Sequence, residues 1–298
     1  MSTAVIDGAL LLDKPLGLSS NAALQQAKRL FGARKAGHAG TLDPLASGLL
    51  MVLFGEATKF AGPLLDGDKE YLATLQMGAA TTTGDTEGEV VERGPTDMTE
   101  ADVRAVLQRF RGEIEQVPPM FSALKRDGVP LYRLARRGEE VERRPRRVTI
   151  RELELVGGSA LRPELRIRCS KGTYIRTLGQ DIGAALGSRA HLLALRRTAS
   201  GRFRIEDAAS LEGLGAMTPA ERQRRLRPLA ELLVGLPRAE LDAPAAARLR
   251  NGQALPIPGL GEGIYGVYGP GGMVIGLGRS DGASLHPLRL TQATEKHR

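Results

Sequence analysis

The sequence predicts an α+β protein, with a mixed, largely antiparallel central sheet flanked by helices and a small C-terminal β module. Three observations predict it. Strand-like and helix-like stretches follow one another without the regular β-α-β rhythm of a doubly wound sheet. Leu165, Ile167 and Cys169 alternate with Arg166, Arg168 and Ser170, the period of two of a strand with one buried face. Beyond Pro237, short apolar runs at residues 263–268 and 272–277 are flanked by glycine, as in a small all-β unit. Pro237 therefore marks a boundary between residues 1–237 and 238–298.

Taken in order, residues 9–12 form an apolar run that reads as a buried strand, ended by Asp13-Lys14-Pro15. Ser19 or Ser20 can cap a helix whose apolar face is Ala23, Leu24, Ala27, Leu30 and Phe31, and Gly32 suits its end. Residues 34–48 are rich in glycine and small side chains and read as a loop entering a buried strand at 49–54. Residues 70–77 alternate as a strand, and 81–88 form a polar turn. Thr99 can cap a helix showing Val103, Val106, Leu107 and Phe110 on one face. After the 165–169 strand, Thr173 can start a helix over 174–186. Residues 190–199 are a further strand, and 226–236 the last helix of the main body.

The 298 residues are 42% hydrophobic and 26% charged, ordinary for a globular chain and long enough for about two domains. The net charge of +8 favours an anionic partner, above all nucleic acid, although solubility alone accounts for it equally well. Residues 119–147 hold nine basic and four acidic side chains, a surplus of +5 that is more than half the total. With one cysteine, Cys169, no intramolecular disulfide can form, which fits a reducing cytoplasm and equally a disulfide-free secreted protein. The start of the chain predicts neither signal peptide nor membrane span. The four histidines are scattered and no CxxC or HExxH occurs, so no metal is expected.

The stretch with most chemical content is Ala36-Gly37-His38-Ala39-Gly40-Thr41-Leu42-Asp43-Pro44-Leu45-Ala46-Ser47-Gly48. Its glycines permit close ligand approach, and Pro44 pushes Asp43 away from helical angles. One carboxylate and one imidazole thus share a small loop. A glycine-rich turn with Asp43 bonded to its own backbone satisfies the same residues.

This segment resembles that of the TruB-type tRNA pseudouridine synthases. Further segments match it in order: Asp13-Lys14-Pro15-Leu16-Gly17-Leu18-Ser19-Ser20, Gly55-Glu56-Ala57-Thr58-Lys59, Asp68-Lys69-Glu70-Tyr71 with Thr83-Gly84-Asp85-Thr86-Glu87-Gly88, and Cys169-Ser170-Lys171-Gly172-Thr173-Tyr174-Ile175-Arg176-Thr177-Leu178. The resemblance covers roughly residues 9–199 and more weakly the remainder. It implies the pseudouridine synthase fold, with a PUA-like barrel over 238–298. It implies an isomerase that converts the uridine at position 55 in the tRNA T-loop to pseudouridine. The partner is then the T-arm and elbow of tRNA, and the enzyme a cytoplasmic monomer without cofactor, metal or membrane. The reaction breaks a C–N bond and makes a C–C bond to the same ribose carbon. It needs no redox step or energy input, so the absence of nucleotide-binding fingerprints is consistent with it.

The resemblance also implies roles. Asp43 matches the essential carboxylate. Arg176 matches the active-site arginine, which beside a buried carboxylate would keep it charged. Tyr71 matches the tyrosine that stacks on uracil, and Tyr174 one bordering the target nucleotide. His38 matches the histidine that fills the gap left by the extracted uridine, and Leu195 a residue lining its pocket. Lys14 and Lys171 are given only structural or phosphate-contact roles. Residues 119–147 correspond to an insertion that closes over the T-arm. A non-catalytic tRNA chaperone is the alternative, and a hydrolase built on His38 and Asp43 lacks a second base or metal set. Neutralising Arg143, Arg144, Arg146 and Arg147 is expected to weaken tRNA binding and flatten its dependence on salt. A slope of log affinity against log salt equal to that of the unaltered protein would make the basic segment a bystander.

Overall fold

In the computed structural model, which describes residues 6–292, two apolar runs seed the core. His297 and the outer ends of the two expected domains lie outside the described residues. Strand β1 (Gly8–Lys14) is followed by helix α1 (Ser20–Phe31), a short strand β2 (Ala36–Ala39) and strand β3 (Ala46–Phe54). β1 and β3 pair antiparallel from Gly8↔Phe54 to Lys14↔Gly48. Leu10, Leu12, Leu50, Val52 and Phe54 face one core, which α1 covers with Ala23, Leu24 and Ala27. Ala9, Leu11, Leu49, Met51 and Leu53 face a second core on the opposite side. Burial on both faces is why these strands read as continuous apolar runs. Burying one such leucine contributes about 1.5–3 kcal/mol before its ordering entropy is subtracted.

Ser19 caps α1 by accepting the Ala22 N–H at 3.1 Å, and Gly32 ends it at φ 62°. β2 corrects the reading of residues 34–48 as a loop throughout. It pairs with Met51–Phe54 on the edge of β3 away from β1. Its residues carry no strand-like alternation, so the partner edge sets the conformation rather than local propensity. The Asp43 segment is therefore the connection between two paired strands.

Helix α2 (Ala61–Asp66) leads into strand β4 (Lys69–Met77), and β5 (Ala79–Thr81) and β6 (Val90–Arg93) form a small hairpin around the polar turn. Thr99 caps α3 (Glu100–Gln108) in a reciprocal capping box with Asp102. After β7 (Gly112–Gln116), the basic segment holds a two-residue-per-strand hairpin, β8 (Lys125–Arg126) and β9 (Val129–Pro130), and the short helix α4 (Leu131–Ala135). Its last two arginines begin strand β10 (Arg146–Ser159), paired with β7. In β11 (Arg162–Cys169) burial alternates residue by residue, as the sequence pattern requires.

Helix α5 (Ile175–Ala185) starts one residue later than expected. Thr173 does not cap it: its hydroxyl donates to the Ser170 carbonyl at 2.9 Å, and Tyr174 stands at the cap position. Strand β12 (Ala190–Ser200) is followed by β13 (Phe203–Arg204), β14 (Ala209–Ser210), α6 (Leu211–Ala216) and α7 (Pro219–Arg224). The helix expected over 226–236 is also corrected. Residues there form β15 (Leu226–Arg227) and a single-turn α8 (Leu229–Leu232), because Pro228 cannot lie inside a helix.

The large sheet runs β14-β1-β3-β12-β4-β11-β10-β7, with β2, β13 and β15 paired off this path. Only β1·β14 and β3·β12 are parallel, so the sheet is mixed and largely antiparallel as expected. The C-terminal part contains β16 (Arg238–Glu240), α9 (Ala243–Arg250), β17 (Leu255–Pro256), β18 (Glu262–Tyr268), β19 (Val274–Asp281) and β20 (Ser284–Leu290). Its sheet, ordered β16-β18-β19-β20-β17, curls as a half-barrel. Helix α9, capped by Asp242, corrects the all-β reading, and Ala246 and Leu249 pack it onto that sheet. Tyr268 and Leu277 turn the other way and join Leu232 and Leu233 in the second core of the main body.

Lys14, at the end of β1, is fully buried, and its Nζ donates to the Pro15 and Leu18 carbonyls at 2.9 and 2.6 Å. It is thus a structural cation, out of reach of any phosphate. Burial pushes its pKa down from 10.5 to about 8. Between those values the unfolded chain holds more protons than the folded one, so stability rises with pH across the window. Below about pH 8 the cost of burying the charge is fully present. The stability of the unaltered protein relative to Lys14→Met is expected to grow as pH rises from 8 to 10, read from urea midpoints. A difference independent of pH would refute the depressed pKa.

Candidate active site

The connection that carries Asp43 is fastened at several points. Ser20, buried in the first turn of α1, accepts the Leu42 N–H at 2.7 Å and donates to the Leu42 carbonyl at 2.9 Å. Gly17 N–H donates to the Pro44 carbonyl at 2.8 Å, and Ala46 N–H to that of Asp43 at 3.0 Å. Gly40 turns the chain at φ 82°. The adjacent serines in the sequence thus divide the work: Ser19 caps the helix and Ser20 anchors the loop.

Within this frame the Asp43 side chain is not folded back on its own backbone. Its carboxylate meets Arg176 Nη2 at 2.9 Å and is 43% exposed, whereas the Arg176 side chain is only 6% exposed. This corrects the expectation of a guanidinium beside a buried carboxylate. The guanidinium is the buried partner, and the carboxylate opens onto a cavity. Arg176 enters from the first turn of α5 and also donates to the Thr83 and Phe121 carbonyls at 2.9 and 2.6 Å. Its Nε lies 3.6 Å from the buried carboxylate of Asp85.

The cavity, of about 670 Å³, has Asp43, Tyr71, Tyr174, Arg176, Leu195 and Arg197 in its wall. That volume lies in the range of small-molecule pockets and admits a nucleoside. Tyr71 projects from β4, and burial pushes its hydroxyl above the ordinary value while the nearby Arg197 charge pulls it down. Tyr174 is half-buried, with its backbone held at both ends by Gln116: its N–H donates to Gln116 at 3.1 Å and its carbonyl accepts from Gln116 at 3.3 Å. Leu195 lines the cavity and also packs against the main core.

His38 is not in the cavity wall. It lies on β2 opposite Val52, half-buried, and its Nδ1 is buried without a hydrogen-bond partner. Burial, with Arg197 as a lesser cause, lowers its pKa, so the ring is neutral at pH 7. Lys171 is exposed and paired with Asp66 at 2.6 Å. Arg146 and Arg147 stand at the cavity, and Lys125, Arg126, Arg143, Arg144 and Arg146 line an adjoining depression of about 360 Å³. Among the described residues no cluster of His, Cys, Asp or Glu could hold a metal ion, and no helix is long and apolar enough to cross a membrane.

Two residues of the site escape sequence reasoning. Asp85 sits in a segment quoted for its resemblance, yet nothing local marks it as the buried partner of Arg176. Arg197 hides among 42 basic residues. The usable signal is its spacing: two positions after Leu195 on a strand, it shares that residue's face.

A model of the TruB family pseudouridylate synthase N-terminal domain matches residues 28–175. Models of the tRNA pseudouridylate synthase B C-terminal domain and of the tRNA pseudouridine synthase II C-terminal region match 176–236 and 236–290. The tRNA pseudouridine synthase B of Azoarcus sp. (strain BH72) is 53% identical over 286 residues, covering 96% of this chain and 95% of the relative. That of Burkholderia mallei (strain NCTC 10247) is 52% identical over 297 residues, covering 97% and 98%. A chain from the crystal structure of a Cbf5-Nop10-Gar1 complex superposes with a TM-score of 0.75 at 26% identity, covering 97% of this chain and 85% of that one. A chain from an H/ACA RNP bound to a substrate RNA containing 2'-deoxyuridine shares the fold, with a TM-score of 0.73 at 23% identity over 98% of this chain and 87% of that one.

Asp85 gives the arrangement a direct test. Asp85→Ala leaves the buried Arg176 with one carboxylate that is itself half open to water. Loss of about 3 kcal/mol in urea unfolding is expected. Unchanged stability would show the inner ion pair to be idle.

Proposed function

From the premise that this chain belongs to the TruB family of tRNA pseudouridine synthases, we propose that it isomerises the T-loop uridine at position 55, with Asp43 as the essential carboxylate. That it is an RNA-binding isomerase acting on tRNA follows from the family. The target position and the role of Asp43 are the proposal. One observation carries it: a carboxylate held at 2.9 Å by a buried guanidinium opens into a cavity of nucleoside size.

The chemistry suits that geometry. The uridine leaves its loop at a cost of a few kcal/mol and enters the cavity. Asp43 attacks the sugar or the base, or stabilises positive charge developing at the ribose. Detached uracil must rotate before its carbon meets the same ribose carbon. Tyr71 and Leu195 bound the space in which it turns, and Tyr174 borders the nucleotide. The neutral ring of His38 is suited to stack where the base has left. Arg146, Arg147 and the depression beyond them offer phosphate contacts, which position the RNA without reading its sequence. In this proposal residues 1–237 carry the chemistry and 238–298 extend the RNA contact, in a monomer that needs no cofactor.

Asp43→Asn is expected to abolish pseudouridine formation while retaining tRNA binding. The assay is incubation with an unmodified tRNA transcript, mapping of pseudouridine, and a parallel binding isotherm. Turnover by the variant would remove Asp43 from the mechanism, and modification at a different nucleotide would remove position 55.

A further inference from the structure

Arg197 is almost fully buried, yet it belongs to the cavity wall. It stands on β12 between two partners, opposite Gly48 of β3 on one side and Tyr71 of β4 on the other. Its guanidinium turns toward the connection that bears Asp43. Nε donates to the Leu49 carbonyl at 2.7 Å, Nη2 to the Gly40 carbonyl at 2.9 Å, and Nη1 lies 3.5 Å from the Thr41 carbonyl. These acceptors flank Asp43 on both sides in the sequence.

Two glycines are fitted to this residue, Gly48 to its backbone and Gly40 to its guanidinium. A Cβ on Gly48, whose φ is 101°, would stand 2.3 Å from the Arg197 carbonyl oxygen. A Cβ on Gly40 would meet Nη1 at 3.3 Å. The close approach lets one planar fork reach carbonyls on both limbs of the connection. A lysine ammonium, being a point donor, cannot span them.

We propose that Arg197 is a positioning residue for the reaction: it fixes the two limbs of the 40–49 connection and thereby sets where the Asp43 carboxylate stands. Its hydrogen bonds go to backbone carbonyls and none to the Asp43 carboxylate, so it acts through the backbone. The fork complements the Arg176 contact, which fixes the carboxylate itself. The proposal rests on the reading of Asp43 as the essential carboxylate. Misplacing a reacting group by about 1 Å costs on the order of a hundredfold in rate.

The test uses the full chain with an unmodified tRNA transcript, enzyme in excess, and Arg197→Lys and Arg197→Met. Single-turnover rate, tRNA Kd and urea midpoint are measured for each. The Lys variant is expected to lose about tenfold in rate and the Met variant about a hundredfold, with Kd held within about twofold. A soluble variant that turns over at the unaltered rate overturns the proposal. So does a loss of rate no larger than the loss of folded protein, which would assign Arg197 to stability alone. If Arg197→Met does not fold, Arg197→Lys decides. Asp43→Asn is run beside them: turnover there would sink the carboxylate reading, whereas an inactive Asp43→Asn with fully active Arg197 variants would sink only the positioning role.

Discussion

The structure around the cavity depends on one constraint: the Arg176 guanidinium is out of water and cannot give up its charge. It must be met by acceptors from wherever the chain can bring them. Asp85 faces it from the buried side, Thr83 and Phe121 offer carbonyls, and Asp43 closes the set from the cavity. Three segments far apart in sequence, around residues 43, 83–85 and 121, are gathered about a single cation. Because the inner positions are filled by protein, the outer carboxylate alone remains both paired and open. That asymmetry closes one aspartate into the protein and leaves the other facing the cavity.

The strands of the centre were legible because their burial is legible. β1 and β3 have two covered faces and read as unbroken apolar runs, while β11 has one and alternates. Helix α1 could be placed to within a residue because its N-cap, left open between Ser19 and Ser20, and Gly32 act locally on its ends. What failed to show is what depends on distant partners. β2 becomes a strand only because β3 offers an edge, and α9 is a run of alanines and arginines whose hydrophobic signal is weak. The expected helix over 226–236 failed for a local reason that was on the page, Pro228.

The site was legible in a different way. Composition and spacing alone left Asp43 as an aspartate on a glycine-rich loop. Tyr71, Tyr174, Arg176 and Leu195 joined it through family resemblance, and the folded chain brings all of them to one cavity. His38 stands apart on β2. Asp85 was invisible because nothing local marks a buried charge, and Arg197 betrays itself only by standing two positions after Leu195 on the same face of β12. The Asp85–Arg176 ion pair and the Arg197–Gly40 hydrogen bond each join distant parts of the chain, the latter across 157 positions, beyond the reach of any local pattern.

The packing of Tyr268 and Leu277 beneath Leu232 and Leu233 has a mechanical meaning. A module tethered only by its linker could pivot to follow whatever RNA it met. Here such a pivot would pull aromatic and aliphatic side chains into water, a cost that opposes it. The orientation of the C-terminal sheet against the main body is thus held by apolar packing as well as by the covalent connection.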